Sequence, residues 1–340
     1  MNPQNIVLTG GGTGGHLAIV NEIKKELNAR GIKPVFVGSS NGQDKAWFEH
    51  DDGFEKCFFL DSRGVMNKGL VGKFLSVLNI LKLSQTVSRI FKTYNIGKVV
   101  SVGGYSAAPA SIAAIINRKY FAIHEQNAKM GMLNQAMSYF ADEIFSSYDE
   151  SSKAKNYPVA LKYFETARLR NELKTVIFLG GSQGARSINN FALKIAQDLV
   201  KNNIKIIHQT GKNDFERVAS EYQKMGIEPD VFPFSSDLYL KMSQADFAVS
   251  RAGASTLWEL GANLLPTLFV PYPYAASNHQ FFNAIYLIEK NMATMCLDTN
   301  LKDFDFEELL KIDIFGLSQN LKGAILPNGA KEIVDQIYKN

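Results

Sequence analysis

The chain has 340 residues, of which 46% are hydrophobic and 21% charged, with a formal net charge of +4. This is a soluble globular composition, and its length suits two domains of roughly 150 residues each. The positive excess is too small to argue for nucleic acid, but it is compatible with anionic substrates or an anionic membrane face.

Short Val/Ile/Phe-rich runs alternate with helical periodicity along the whole chain. In the first half strands are expected at 5–9, 35–38, 56–60, 98–102, 120–124 and 143–147, with helices at 16–29, 70–93, 107–117 and 130–140. In the second half strands are expected at 175–179, 204–209, 230–234, 246–250, 267–271 and 293–297. Helices are expected there at 186–201, 213–225, 236–244, 254–263, 278–290 and 306–311. Such alternation argues for a parallel sheet with helices on both faces, in each half. The polar stretch 151–158 reads as the linker, and a last helix at 330–339 could return to the first domain. The expected domains are 1–157 and 158–326, with 327–340 as the returning segment.

Two strand patterns run straight into glycine clusters, half the chain length apart. Residues 5–9 lead into Gly10-Gly11-Gly12-Thr13-Gly14-Gly15-His16, and residues 175–179 into Gly180-Gly181-Ser182-Gln183-Gly184-Ala185. A strand, a glycine turn and a helix start place backbone N–H groups where an anion can sit. Two such units suggest two Rossmann-like domains with a cleft between them. Gly10-x-Gly12-x-x-Gly15 also fits the dinucleotide pattern, but the second strand ends in Gly38-Ser39-Ser40-Asn41, without the acid that would bind an NAD ribose. His16 reads either as an exposed loop residue or as a base, because a helix N-terminus disfavours imidazolium.

The stretch 249–284 carries the most detailed pattern. Ser250-Arg251-Ala252-Gly253 is a small-residue turn, after which Ala254, Ser255 and Thr256 open a helix with Glu259 one turn further on. Phosphate at the N-terminus and ribose hydroxyls on Glu259 would suit that order; a first-turn acid favoured by the helix dipole is the plainer account of Glu259. His279, Gln280 and Asn283 start the next helix with groups suited to sugar hydroxyls. Asp303-Phe304-Asp305 precedes a helix and reads as its start signal rather than a metal motif.

Helix 70–93 holds more apolar side chains than one buried stripe needs, among them Phe74 and Leu75, with Lys68, Lys73, Lys82, Arg89 and Lys92 interspersed. It reads either as an ordinary sheet-packed helix or as a surface for anionic lipid headgroups. No apolar run reaches the ~18 residues of a membrane span, and a glycine loop beginning at residue 10 leaves no room for a signal peptide. Cys57 and Cys296 show neither metal spacing nor a disulfide framework, which fits a reducing cytoplasm.

Taken together, Gly11–His16, Gly103-Gly104-Tyr105, His124-Glu125-Gln126-Asn127, Gly180–Ala185, Ser250 through Glu259, His279-Gln280 and Asn283-Ala284 resemble the MurG family. These are the UDP-N-acetylglucosamine: undecaprenyl-pyrophosphoryl-MurNAc-pentapeptide N-acetylglucosaminyltransferases of peptidoglycan synthesis. The resemblance implies a GT-B fold, two Rossmann-like doubly wound domains facing a central cleft, and inverting transfer of GlcNAc from UDP-GlcNAc to the MurNAc C4 hydroxyl of lipid I. His16 would be the base. The donor would meet Thr13, Gly14, Gly15, Asn127, Ser182, Gln183, Ala254, Ser255, Thr256, Glu259, His279 and Gln280. The acceptor diphosphate would meet Gly12, Gly103, Gly104 and Tyr105, and the membrane Lys68, Lys73, Phe74 and Leu75.

No metal or cofactor is expected, because backbone N–H groups at 182–185 and 254–256 can stabilise the departing diphosphate. The implied location is the cytoplasmic face of the inner membrane, held peripherally by an anionic surface, with other cell-wall enzymes as further partners and roles in cell shape and division. Two positions depart from the family pattern: Ile19 replaces a usual proline, and Ala160 replaces an arginine expected near the donor diphosphate, for which Lys162 and Arg251 are the candidate substitutes. Rival readings are another GT-B glycosyltransferase, a UDP-GlcNAc 2-epimerase, an NAD(P) oxidoreductase or a non-catalytic nucleotide-sugar sensor.

Overall fold

The computed structural model describes residues 5–64, 70–181 and 183–339. The chain divides into two compact units, Met1–Pro158 with Asn328–Asn340, and Val159–Pro327.

The first unit runs β1 (Asn5–Thr9), α1 (Gly14–Ala29), β2 (Val35–Ser39), α2 (Asp44–Phe48), β3 (Lys56–Leu60), α3 (Leu70–Thr93), β4 (Ile96–Ser101), α4 (Ala108–Ile116), β5 (Tyr120–Glu125), α5 (Met132–Met137) and β6 (Glu143–Ser146). Its sheet is wholly parallel, in the order β3-β2-β1-β4-β5-β6. Near-continuous apolar strands are what a sheet covered on both faces demands. Val7, Val35, Val37, Val99, Phe121 and Ile123 form one core with Val87, Ile90 and Phe91 of α3 and Ala110, Ala113 and Ala114 of α4. The small alanines let those helices approach closely.

The second unit runs α6 (Leu161–Glu165), β7 (Thr175–Leu179), α7 (Arg186–Lys201), β8 (Lys205–Gln209), α8 (Phe215–Lys224), β9 (Asp230–Phe232), α9 (Leu238–Gln244), β10 (Phe247–Ser250), α10 (Ala254–Ala262), β11 (Thr267–Phe269), α11 (His279–Ile288), β12 (Thr294–Met295), α12 (Phe306–Leu310) and α13 (Ile314–Leu321). The order β12-β11-β10-β7-β8-β9 repeats the first sheet's topology. Arg170 is fully buried here, and its guanidinium donates to the carbonyls of Met242 (3.2 Å), Ala245 (3.2 Å), Arg168 (2.5 Å) and Asn263. It thereby satisfies carbonyls left over at the ends of α9 and α10; burial pushes its pKa down to about 9.

The last helix, α14 (Gly329–Lys339), belongs to the first unit. Ile333, Val334 and Ile337 are buried, Asp335 pairs with Arg30 at 2.7 Å, and Glu332 accepts from Asn156 Nδ2 at 2.6 Å. Lys98 Nζ donates to the Ile337 carbonyl at 2.7 Å.

Most expected elements appear, with their ends moved by a residue or two. The helix expected at 130–140 breaks into α5 and a 3-10 turn at Ser138–Phe140, and that at 107–117 begins as a 3-10 turn at Tyr105–Ala107. The short helices α2 and α6 carry too few turns for periodicity to register, and α13 was not anticipated either. Asp305 caps α12, its Oδ1 accepting from the Glu308 N–H at 3.0 Å, as its reading as a helix start requires. Both cysteines are free thiols, and burial pushes that of Cys57 up to about 12.

Candidate functional site

In each sheet the chain travels outward in one direction, then crosses back and travels outward in the other. The reversal falls between β1 and β4 in the first unit and between β7 and β10 in the second. Ligands of open α/β sheets bind beyond the strand ends at this switch point. Both glycine loops follow the central strands there.

In the second unit the switch point opens into a cavity of about 690 Å³, lined by Gly180, Gly181, Gln183, Gly184, Ala185, Arg186, Ser250, Arg251, Gly253, Thr256, Tyr272 and Gln280, among others. The volume suits a small-molecule site. α7 and α10 both start here, and neither N-cap, Ala185 or Gly253, has a side chain capping the first turn. Gly184 has φ +84°, and a Cβ on it would lie 2.5 Å from the Thr210 carbonyl, so only glycine permits this close loop packing.

The structure thus brings Gln183, Thr256 and Gln280 into one cavity. Ala254 and Ser255 open α10, Glu259 lies one turn along it and is partly exposed, and none of the three lines the cavity; nor does His279. The imidazole of His279 donates from Nδ1 to the Ala276 carbonyl at 2.8 Å, and Gln280 Oε1 accepts from the Tyr272 N–H at 2.9 Å. Ser277 and Asn278, just before α11, both have left-handed backbone (φ 52° and 53°), a strained turn of the kind that gathers at functional sites. Ser182 lies outside the described residues.

Arg251 cannot serve as a free cation. Its guanidinium pairs with Asp298 and donates to the Val270 carbonyl at 3.0 Å and Ser187 Oγ at 3.0 Å. Lys162 Nζ lies 4.6 Å above the Tyr239 ring and does not line the cavity. Arg186, which the sequence reading passed over, is exposed at the first position of α7 and lines the cavity. Its place directly behind the glycine loop was the available signal.

The first unit's loop is built differently. The Gly11 N–H donates to the Gly103 carbonyl at 3.2 Å and the Gly12 N–H to Asp44 Oδ1 at 2.5 Å. Asp44 is wholly buried and also accepts from the Ser39 N–H at 2.8 Å. Gly104 has φ +78°, and a Cβ there would meet the Gly11 carbonyl oxygen at 2.3 Å. Tyr105 packs on Gly12 and donates its hydroxyl to the Asn41 carbonyl at 2.5 Å. Gly12, Gly103, Gly104 and Tyr105 therefore form one packed corner, whose Gly11 and Gly12 N–H groups already have acceptors. Asp44 had no sequence signal, since nothing in its polar surroundings marks it as a buttress for a loop 30-odd residues away.

Thr13 is the N-cap of α1, with Gly14, Gly15 and His16 in its first turn. His16 Nδ1 lies 2.9 Å from Thr13 Oγ1 and Nε2 lies 2.8 Å from Gln126 Nε2. Gln126 and Asn127 follow β5, and Glu125 fixes Asn127 and the loop after it. One oxygen of this buried carboxylate accepts from the Asn127 N–H at 2.9 Å, the other from Gly131 N–H at 3.0 Å and Asn134 Nδ2 at 2.8 Å.

On α3, Ile80, Val87, Ile90 and Phe91 are buried, while Leu75 (58% exposed), Val77, Leu78 and Leu81 face solvent with Lys82, Arg89 and Lys92. Lys68 and the side chains of Lys73 and Phe74 lie outside the described residues. Among those described, no helix is long and apolar enough to cross a membrane, and no group of three or more His, Cys, Asp or Glu could hold a metal ion.

Two Rossmann-like units, the second with an open cavity at its glycine loop, have the architecture of GT-B glycosyltransferases. Residues 6–146 match the glycosyltransferase family 28 N-terminal domain and residues 175–336 its C-terminal domain. The chain belongs to this family, in its MurG branch. It is 50% identical, over 98% of its length and 99% of the relative's, to the UDP-N-acetylglucosamine--N-acetylmuramyl-(pentapeptide) pyrophosphoryl-undecaprenol N-acetylglucosamine transferase of Campylobacter fetus subsp. fetus. A protein of the same name from Nitratiruptor is 48% identical over 98% of both chains. The crystal structure of Acinetobacter baumannii MurG superposes with a TM-score of 0.80 at 25% identity, covering 99% of this chain and 100% of that one.

Proposed function

We propose that the protein is an inverting glycosyltransferase that moves GlcNAc from UDP-GlcNAc to the C4 hydroxyl of MurNAc in lipid I, giving lipid II for peptidoglycan synthesis. The observation that carries this reading is the 50% identity, over both full lengths, to a transferase named for that reaction.

The donor belongs to the second unit in this reading. Its diphosphate lies at the starts of α7 and α10, where the N–H dipoles near Gln183, Ala254, Ser255 and Thr256 are already oriented, and Ser182 is a further contact of this reading. Arg186 supplies a side-chain cation where Ala160 offers none. Glu259 takes the ribose hydroxyls, and His279 and Gln280 meet the sugar. The acceptor's diphosphate lies along the Gly12, Gly103, Gly104 and Tyr105 corner.

Chemically, the acceptor oxygen attacks the anomeric carbon as the bond from that carbon to the diphosphate oxygen breaks, its electron pair leaving on UDP. The hydroxyl proton passes to His16 Nε2. Attack opposite the leaving group inverts the α-linked donor to a β-1,4 product.

The acceptor's polyprenyl chain is membrane-embedded, so the enzyme works peripherally at the cytoplasmic face of the inner membrane, drawn to its anionic surface by Lys68, Lys73, Phe74 and Leu75. Its product feeds wall growth, hence cell shape and division, and other cell-wall enzymes are the partners that position would bring near.

Radiolabelled UDP-GlcNAc incubated with lipid I tests the reading. Label should move into lipid II with stoichiometric release of UDP. Epimerisation of the donor without an acceptor, or transfer to diacylglycerol in preference to lipid I, would replace it with a rival reading.

A further inference from the structure

The imidazole of His16 is held at both nitrogens, and the two contacts together select one tautomer. Thr13 occupies the N-cap of α1, yet its hydroxyl caps no backbone N–H; Oγ1 faces His16 Nδ1 at 2.9 Å instead. On the other side the amide nitrogen of Gln126 lies 2.8 Å from His16 Nε2. With the Gln126 amide nitrogen donating, Nε2 accepts, and Nδ1 carries the ring proton and donates to Thr13 Oγ1. A lone pair on Nε2 is the form a general base needs.

Gln126 is itself buried. It is 7% exposed and stands beside Glu125, whose carboxylate ties down the loop through Asn127, Gly131 and Asn134. Its Oε1 is buried with no hydrogen-bond partner among the described residues. A half-satisfied buried amide is costly, and its remaining contact goes to the imidazole.

We propose that Gln126 is the positioning residue of His16: its amide N–H fixes the neutral tautomer with the lone pair on Nε2, and the acceptor's C4 hydroxyl displaces that amide when it donates there. This inference rests on the reading of His16 as the base.

Other titratable groups are packed around this corner. His124 on β5 is kept neutral, burial pushing it down to about 3 with a smaller contribution from His16. Glu125 faces the 127–134 loop, and Asp44 on α2 faces the N–H groups of Gly12 and Ser39. Tyr105 donates to the Asn41 carbonyl, and burial raises its pKa further.

Nitrogen-15 NMR of the wild-type protein should report His16 as the Nδ1–H tautomer near neutral pH. Gln126→Glu replaces the donor with a carboxylate that favours imidazolium. Its sign is fixed: a stabilised imidazolium loses its proton only at higher pH, so the acid limb of the kcat profile should move up by about one to three pH units. Gln126→Ala should lower kcat by about tenfold, the loss of one hydrogen bond, with UDP-GlcNAc KM unchanged.

A folded Gln126→Ala variant that keeps wild-type kcat, or that raises the UDP-GlcNAc KM instead, overturns the proposal. So does an Nε2–H tautomer in the wild type, a measurement that stands even if the Glu variant misfolds. Failure of the base reading looks different: His16→Ala would then retain kcat, whatever the tautomer.

Discussion

His16 sits in the first turn of α1 with both ring nitrogens in contact. If Nε2 takes the acceptor proton, His16→Ala should lower kcat by ~10²–10⁴ and leave UDP-GlcNAc affinity nearly intact, the signature of a lost general base. Single-turnover kinetics beside donor calorimetry separates this from a structural loop role, in which donor binding would fall and kcat survive. Glu259, one turn into α10, should matter to the opposite quantity. Glu259→Ala should weaken UDP-GlcNAc binding by about 1–3 kcal/mol, as for a lost charge-assisted hydrogen bond; unchanged affinity would end the ribose assignment. Both residues were picked out in the sequence because they stand near glycine turns. Gln126 was visible only as a member of the His124–Asn127 run, since its partner His16 is 110 positions away. Asp44 went unread for the same reason, as it buttresses a loop that only folding brings beside it, whereas Arg186 stood directly behind a glycine loop.

At the scale of elements, α3 is the test of membrane association. Its buried face carries Ile80, Ser84, Val87 and Phe91, a helical spacing that accounts for the packing against the sheet and α4. Leu75, Val77, Leu78 and Leu81 are exposed, so their apolar surface is not spent on the core. Leu75→Glu with Leu78→Glu should therefore reduce binding to vesicles containing anionic lipid, with thermal stability unchanged because neither side chain is buried. Turnover of a short-chain soluble acceptor should survive. Undiminished vesicle flotation would return α3 to ordinary sheet packing. The apolar excess of this helix could be counted in the sequence, but which side chains remain outside depends on where α4 and the sheet lie.

For the whole molecule, each unit buries one neutral histidine. Burial pushes His124 in the first and His208 in the second down to about 3, from an ordinary 6.5. Each binds a proton more weakly folded than unfolded, so the unfolded chain takes up protons that the native state does not. Stability is thus fully present above pH 6.5 and falls as pH drops below it, continuing down to about 3. The slope should approach about 1.4 kcal/mol per pH unit for each histidine. Urea midpoints at pH 7 and pH 5 measure it. His124→Gln and His208→Gln should each flatten the dependence, and an unchanged slope in both would locate acid sensitivity in the carboxylates instead. His208 is well supplied with partners, Tyr222 Oη at 2.9 Å and Asn189 Oδ1 at 3.0 Å, whereas His124 Nδ1 has none among the described residues.

By itself the sequence determined the class of fold, the place of both glycine turns and the chemistry of the loops around them. Those features are local: apolar runs of strand length, helix periodicity and glycines where backbone must turn left-handed, all read within a dozen residues. Tertiary structure decided what the loops can do. The two glycine turns look alike in sequence, yet one surrounds an open cavity while the other has the Gly12 N–H taken by the buried Asp44 carboxylate. Arg251, a free cation on paper, is tied to Asp298, and His16 meets Thr13 and Gln126 at its two ring nitrogens. The physical reason is the same in each case. A hydrogen bond or ion pair reaches about 3 Å, and folding alone sets which side chains, far apart along the chain, come within that distance.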